Sequence, residues 1–90
     1  MQESSQATIL HILHRLDDAL ALELIGAQRQ AGRPVQVVLL QDAVALRTAG
    51  DGVFRCRADV EARGLEVPGR LVDYDEIIDL IAAAAKVVCW

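Results

Sequence analysis

The sequence is short of aromatic residues, of lysine, of cysteine and of long apolar runs, and each shortage narrows what the chain can do. Aromatic side chains make up only 3% of it, so the 53% hydrophobic content is carried by Leu, Val, Ile and Ala. That is the composition of strands buried on both faces by covering helices. Lys86 is the one lysine and the formal net charge is -4. Phosphate contacts need clustered Lys and Arg, so direct nucleic-acid binding is not expected. Arg55, Arg57, Arg63 and Arg70 fall close together in sequence; surface solvation explains them more simply than a basic patch. The two cysteines lack Cys-x-x-Cys spacing, and with only two histidines beside them a metal site has little support. No segment approaches the length of a membrane span, and Met-Gln-Glu-Ser-Ser-Gln at the start lacks the regions of a secretory signal. The expectation is a cytoplasmic protein with no membrane contact, whose cysteines are thiols rather than a disulfide. There is no Gly-x-Gly-x-x-Gly and no phosphate loop, so no cofactor is expected. No nucleophile, base and orienting acid stand in a recognisable spacing, which leaves hydrolase chemistry without support.

What is present reads as one domain over residues 1–90, with the polar residues 1–6 expected to be disordered. Thr8–Leu13 is a continuous apolar run and reads as a first, central strand. Asp17 is a candidate N-cap for a helix from Asp18 to about Gln30, stopped by Gly32 and Pro34. Leu20, Leu24 and Ala27 share a face of that helix, and Leu22 with Ile25 widen the apolar arc beyond what one sheet covers, which suggests an oligomer interface. Val35–Leu40 is the second strand. Ala43–Arg47 has room for about one helical turn before the cluster Thr48-Ala-Gly-Asp-Gly52, a connection short enough to leave one sheet face thinly covered.

Val53–Cys56 is the third strand and Ala58–Arg63 a short helix, with Asp59 in its first turn and Gly64 as its left-handed stop. Arg70–Val72 is a short strand. Asp73-Tyr-Asp-Glu76 has the capping-box pattern for a helix from Tyr74 to about Ala85, with Ile77, Ile78, Leu80 and Ile81 as its core face. Lys86–Trp90 closes the chain as a last strand. Strands and helices alternate throughout, so the fold class is α/β: a three-layer α/β/α sandwich on a mostly parallel sheet of four or five strands.

Cys56 stands where the third strand passes into a helix, a place where parallel sheets gather ligands and reactive groups. Read as functional, it is a thiolate favoured by the helix start and by Arg55 or Arg57; read as structural, it is a small buried hydrophobe. On a strand the two arginines point away from it. His14 follows the first strand and could border the same crevice as a proton donor or cation. His11, inside the strand, reads as a core residue with one satisfied ring nitrogen. Asp42 lies at a strand end, where capping is its simplest role. Cys89, beside Trp90, reads as a packing residue.

Four stretches also carry a family resemblance. Leu10-His-Ile-Leu-His-Arg15, Leu39-Leu-Gln-Asp-Ala-Val44, Val53-Phe-Arg-Cys-Arg-Ala-Asp-Val-Glu-Ala-Arg-Gly-Leu65, and Leu71-Val-Asp-Tyr-Asp-Glu-Ile-Ile-Asp-Leu80 with Trp90 span most of the chain. In that order they resemble the DsrE/DsrF/DsrH family of small sulfur-relay proteins, most closely its DsrH or TusB branch. The resemblance implies a cytoplasmic sulfurtransferase-like carrier of persulfide sulfur. It implies a homo-oligomer, or a hetero-oligomer with DsrE/DsrF-like proteins, supplied by a sulfur donor and emptied by an acceptor protein. Such relays serve 2-thiolation of a tRNA wobble uridine or dissimilatory sulfur oxidation. Cys56 falls where DsrE-type members carry their sulfur-accepting cysteine, whereas many TusB-type chains have an apolar residue there. Ala43 stands where glycine is usual. The expectation is therefore a carrier with Cys56 as the accepting thiol and His14, Arg55, Arg57 and Asp42 as candidate supporting residues; the alternative is a non-catalytic structural subunit, or a homo-oligomeric DsrE-like protein without sulfur-carrier activity.

Overall fold

Short runs of β-branched and aliphatic residues set the strands, and the stretches rich in Ala, Leu and Glu between them set the helices. A computed structural model describes residues 8–48 and 50–90; the expectation of disorder over residues 1–6 lies outside the described residues. The strands are β1 (Ile9–Leu13), β2 (Val35–Leu39), β3 (Val53–Cys56), β4 (Arg70–Val72) and β5 (Lys86–Cys89). Between them lie α1 (Ala19–Gln30), a 3-10 turn (Gln41–Ala45), α2 (Arg57–Ala62) and α3 (Tyr74–Ala83). All pairings are parallel, in one five-stranded sheet ordered β4-β3-β2-β1-β5. This is the expected α/β sandwich. β1 is interior, between β2 and β5, but β2 and not β1 occupies the middle.

The strand order decides which helix covers which face. The connections β1 to β2, β2 to β3 and β3 to β4 all step the same way along the sheet, whereas β4 to β5 runs back past three strands. Because parallel crossovers are right-handed, α1, the 3-10 turn and α2 lie on one face and α3 on the other. The chain thus leaves β3 toward one face and leaves β4, its neighbour, toward the opposite face. The carboxyl ends of β3 and β4 are the topological switch point of the sheet, the place where parallel sheets open a crevice.

Register separates the two inner faces. Ile9, His11 and Leu13 line up with Val35, Val37 and Leu39, and these with Val53 and Arg55, on the α1 side. Leu10, Val38, Cys56 and Val72 belong to the α3 side, and all four are buried. Gly52 lets the loop before β3 press on β2: its φ is +80°, and a Cβ there would stand 2.9 Å from the Val35 carbonyl oxygen. Gly64, at φ +62°, ends α2 as expected.

Both long helices depart from the expected orientation. Asp18, not Asp17, caps α1, its Oδ1 accepting from the Ala21 amide at 3.3 Å. The helix then buries Ala21 and Ile25, while Leu20 is 67% exposed and Leu24 and Ala27 also face outward. A polar contact explains the change of phase. His11 is fully buried in β1 and Gln28 Oε1 meets its Nε2 at 2.7 Å. Satisfying that nitrogen turns residue 28 inward, and residues 25 and 21 come with it at helical spacing. In α3 Ile77 is buried and Leu80 half-buried, but Ile78 is 61% exposed and Ile81 is also exposed. A ten-residue helix lying on one sheet face buries a single stripe, narrower than the four-residue face its sequence suggests.

Candidate functional site

Cys56 ends β3 and occupies the N-cap position of α2, with its side chain on the α3 side of the sheet. It pairs in register with Val72, the last residue of β4. Both strands of the switch point therefore finish at the thiol. Cys56 has no exposed surface and packs within the hydrophobic core.

Arg55, one residue earlier, projects to the opposite face, as strand alternation requires. It is the largest fully buried side chain. Among the described residues no carboxylate receives it. Its Nε donates to the Val44 carbonyl at 3.1 Å, and its terminal nitrogens donate to the carbonyls of Leu46, Thr48 and Pro68. Burial, with the charge of Arg47 adding to it, lowers the Arg55 pKa from its ordinary value. The guanidinium is thus a staple that ties the loop from the 3-10 turn and the loop before β4 to β3. Arg55 does not serve the thiol, contrary to the expectation that it might lend charge there; it satisfies carbonyls that the short second connection leaves unpaired.

The other expected supporting residues are only partly brought together. Arg57 is near: its Nε meets Asp73 Oδ1 at 3.0 Å, bridging the start of α2 to the start of α3 directly beyond Cys56 and Val72. Its charge is committed to that carboxylate. Asp42 is exposed and paired with Arg63 at 3.1 Å. It links the 3-10 turn to the end of α2, away from the thiol. His14 is exposed and leaves β1, two strands from β3, a separation of about 10 Å from the strand spacing alone. Cys89 is exposed rather than packed, because β5 is an edge strand with little covering it. Three strand spacings, about 14 Å, part it from Cys56, too far for a disulfide. His11 has both ring nitrogens satisfied, since Trp90 Nε1 donates to its Nδ1 at 3.0 Å.

Two residues at the site are ones the sequence reading passed over. Tyr74 is the first residue of α3, held by the Asp73–Glu76 capping box, in which the Asp73 amide donates to Glu76 Oε1 at 3.1 Å. It is 59% exposed, and its phenol pKa is raised above its ordinary value, by hydrogen bonding to Cys56 first and by charge second. Asp59 and slight desolvation push the same way. The second is Gln41, whose φ of +50° is left-handed in a residue that rarely adopts it. Asp59 Oδ2 accepts its amide at 2.7 Å and holds that turn. The signals were the only tyrosine standing two residues after a strand, and a helix-start aspartate on the neighbouring element.

A cleft of about 320 Å³ lies on the other face, lined by Leu22, Ile25, Gly26, Arg29, Val37, Thr48 and Val53. It opens beside the short second connection, the region whose length predicts thin cover, and is separated from Cys56 by the sheet. Among the described residues no three His, Cys, Asp or Glu side chains converge as metal ligands would, and no helix is long and apolar enough to cross a membrane.

No family model matches the chain, and neither a curated protein nor a solved structure matches it. The arrangement at β3 and β4 offers one buried sulfur, one phenol at the start of the next helix and one ion pair between the two helix starts. Exchange between sulfur atoms needs a thiol and a path to it but no base, metal or phosphate cradle; the thiol is present and its surface is closed.

Proposed function

We propose that the chain is a component of a persulfide sulfur relay of the DsrE/DsrF/DsrH type, with Cys56 as the sulfur-accepting thiol. The observation that carries this reading is the position of Cys56, at the carboxyl end of β3 on the switch point of an all-parallel sheet. The Cys56 thiolate attacks the outer sulfur of a donor persulfide R–S–SH. A sulfur–sulfur bond forms to Cys56 as the donor's bond breaks, giving Cys56–S–SH and the donor thiolate. The exchange is redox-neutral and needs no cofactor. Attack of an acceptor thiolate on the outer sulfur empties the carrier in the same way. The relay runs in the cytoplasm within a homo-oligomer, or a hetero-oligomer with DsrE/DsrF-like partners, toward tRNA wobble-uridine 2-thiolation or sulfur oxidation.

The test is incubation of the protein with a cysteine desulfurase and cysteine, followed by intact mass. One added sulfur is expected, lost in Cys56→Ser and retained in Cys89→Ser. No adduct, or an adduct that depends on Cys89 alone, overturns the carrier role.

A second reading, a non-catalytic subunit of the same assembly, is favoured by a specific observation: Cys56 has no exposed surface, while Leu20 and Ile78 are 67% and 61% exposed on the two helical layers. Surfaces of that kind suit subunit contacts. A Cys56→Ser variant that takes up no sulfur yet supports full sulfur flow through its partners would decide for this reading.

A further inference from the structure

The cleft of about 320 Å³ lies on the α1 side of the sheet, away from Cys56, and its body is apolar. Val37 of β2 and Val53 of β3, each 3% exposed, form the floor, and Leu22 with Ile25 of α1 form one wall. At the ~30 Å³ that a water occupies in the liquid, the space suits a molecule of roughly ten non-hydrogen atoms. Gly26 keeps it open. Glycine is among the least favourable residues inside a helix, yet nothing beyond its own helix backbone and its chain neighbours lies within 4 Å of where its Cβ would stand. No close approach within the chain requires a glycine there; the missing side chain leaves room in the cleft. The rim carries positive charge. Arg29, three residues after Gly26, is the only charged side chain lining the cleft among the described residues, and Thr48 joins it from the connection before β3. Arg55 follows Val53 on the same face of β3, fully buried, and donates to the Thr48 carbonyl. Its described partners are neutral carbonyls, so no carboxylate among the described residues offsets that charge. Arg47 directly precedes Thr48 in the chain. Asp51, the acid of the same connection, does not line the cleft.

We propose that this cleft binds a small organic anion with an apolar body, the body lying over Val37 and Val53 beside Gly26 and the acidic head meeting Arg29 and Thr48. An apolar trough with positive charge gathered at its rim is complementary to such a molecule. The Arg29 guanidinium supplies a charge-assisted hydrogen bond to the head, and the Thr48 hydroxyl a second donor. The buried charge of Arg55 favours the anion over a neutral molecule of the same shape, because no carboxylate among the described residues stands against it. The sheet separates this site from Cys56, so it does not depend on the sulfur-carrier reading.

Octanoate is a probe of the right size, with octanol as its uncharged counterpart and acetate as the head without a body. Binding is followed by amide chemical shifts of the isotope-labelled protein. Saturable shifts are expected at Leu22, Gly26, Thr48 and Val53, half-complete at about millimolar octanoate. Octanol is expected to bind about tenfold more weakly, and acetate to give no saturation. Gly26→Leu fills the cleft and is expected to abolish saturation at an equal or higher urea midpoint, since leucine is the better helix former. Arg29→Gln, an exposed change, is expected to weaken octanoate about tenfold while leaving octanol within about twofold of the parent. No saturable shift in the parent, or undiminished binding in Gly26→Leu, overturns the site. Octanol binding as tightly as octanoate, or octanoate binding indifferent to Arg29→Gln, overturns the anionic head. If a second copy of the chain fills the cleft instead, the parent sediments as a dimer that Gly26→Leu dissociates and octanoate gives no saturable shift, a result that also overturns the proposal.

Discussion

Arg55 and Cys56 are adjacent residues on one strand, and the two sides of the sheet treat them in opposite ways. On the α1 side a permanent charge is buried and fastened by four backbone carbonyls from two loops. On the α3 side the Cys56 thiol is buried within the apolar core. The first arrangement is over-determined, because several acceptors must be lost before the guanidinium is free. The second rests on apolar packing.

The largest test of this contrast removes the staple. Arg55→Met keeps much of the apolar stem but leaves the carbonyls of Val44, Leu46, Thr48 and Pro68 without their donor. Each acceptor left unmet in a buried setting costs ~1–3 kcal/mol, so a loss of about 3 kcal/mol or more is expected in urea unfolding. A loss below ~1 kcal/mol would mean that water replaces the guanidinium and that the α1 side is no more rigid than the other. An intermediate effect is expected from Asp73→Ala, which removes the N-cap of α3 and the partner of Arg57. The cap contributes ~1 kcal/mol and the exposed ion pair a few tenths. Because α3 then begins less firmly, native-state alkylation of Cys56 should quicken; unchanged alkylation would show that residue 74 is held by other contacts.

The smallest effect concerns the phenol. Tyr74 is the only tyrosine, so its ionisation can be read directly from ultraviolet absorbance. Its folded pKa is raised above the ordinary 10.0, with Cys56 the first cause, and Cys56→Ala should bring the midpoint down. The sign follows from linkage. A raised folded pKa means that the neutral phenol is favoured by the fold, so the contribution is complete below pH 10 and is lost as pH rises through the folded value. An identical midpoint in Cys56→Ala would show that Cys56 is not the cause of the shift.

Much of the frame was legible in the sequence because local chemistry fixes it. Val53–Cys56 and Arg70–Val72 have the bounds their composition predicts, Gly64 ends its helix, and Asp73 with Glu76 caps the next. Alternation along β3 already placed Arg55 away from Cys56. What could not be read is what distant residues decide. The phase of α1 follows from His11 seeking Gln28, a contact across 17 positions that no periodicity of leucines reveals. The destination of Arg55 depends on carbonyls that a short connection leaves unpaired. The exposure of Cys89, read as a packing residue, and the burial of Cys56, which the sequence left open, both depend on strand order: Cys56 sits on an interior strand and Cys89 on an edge. Tyr74 escaped attention because a tyrosine at a helix start is unremarkable until the preceding strand is known to lie beside β3.

The pairing of β1 with β5 bears on how the protein is made. His11 lies opposite Val88 and receives the indole proton of Trp90, so the first strand and the last residues complete one another. During synthesis β1 leaves the ribosome early, and β2 can join one of its sides as soon as residues 35–39 are out. Its other side stays unsatisfied, and His11 Nδ1 without its donor, until residues 86–90 have followed. Contacts of such sequence separation form late and slowly. Until residues 86–90 join it, β1 therefore carries an open parallel edge, the kind of surface that chaperones shield and that neighbouring nascent chains can pair with.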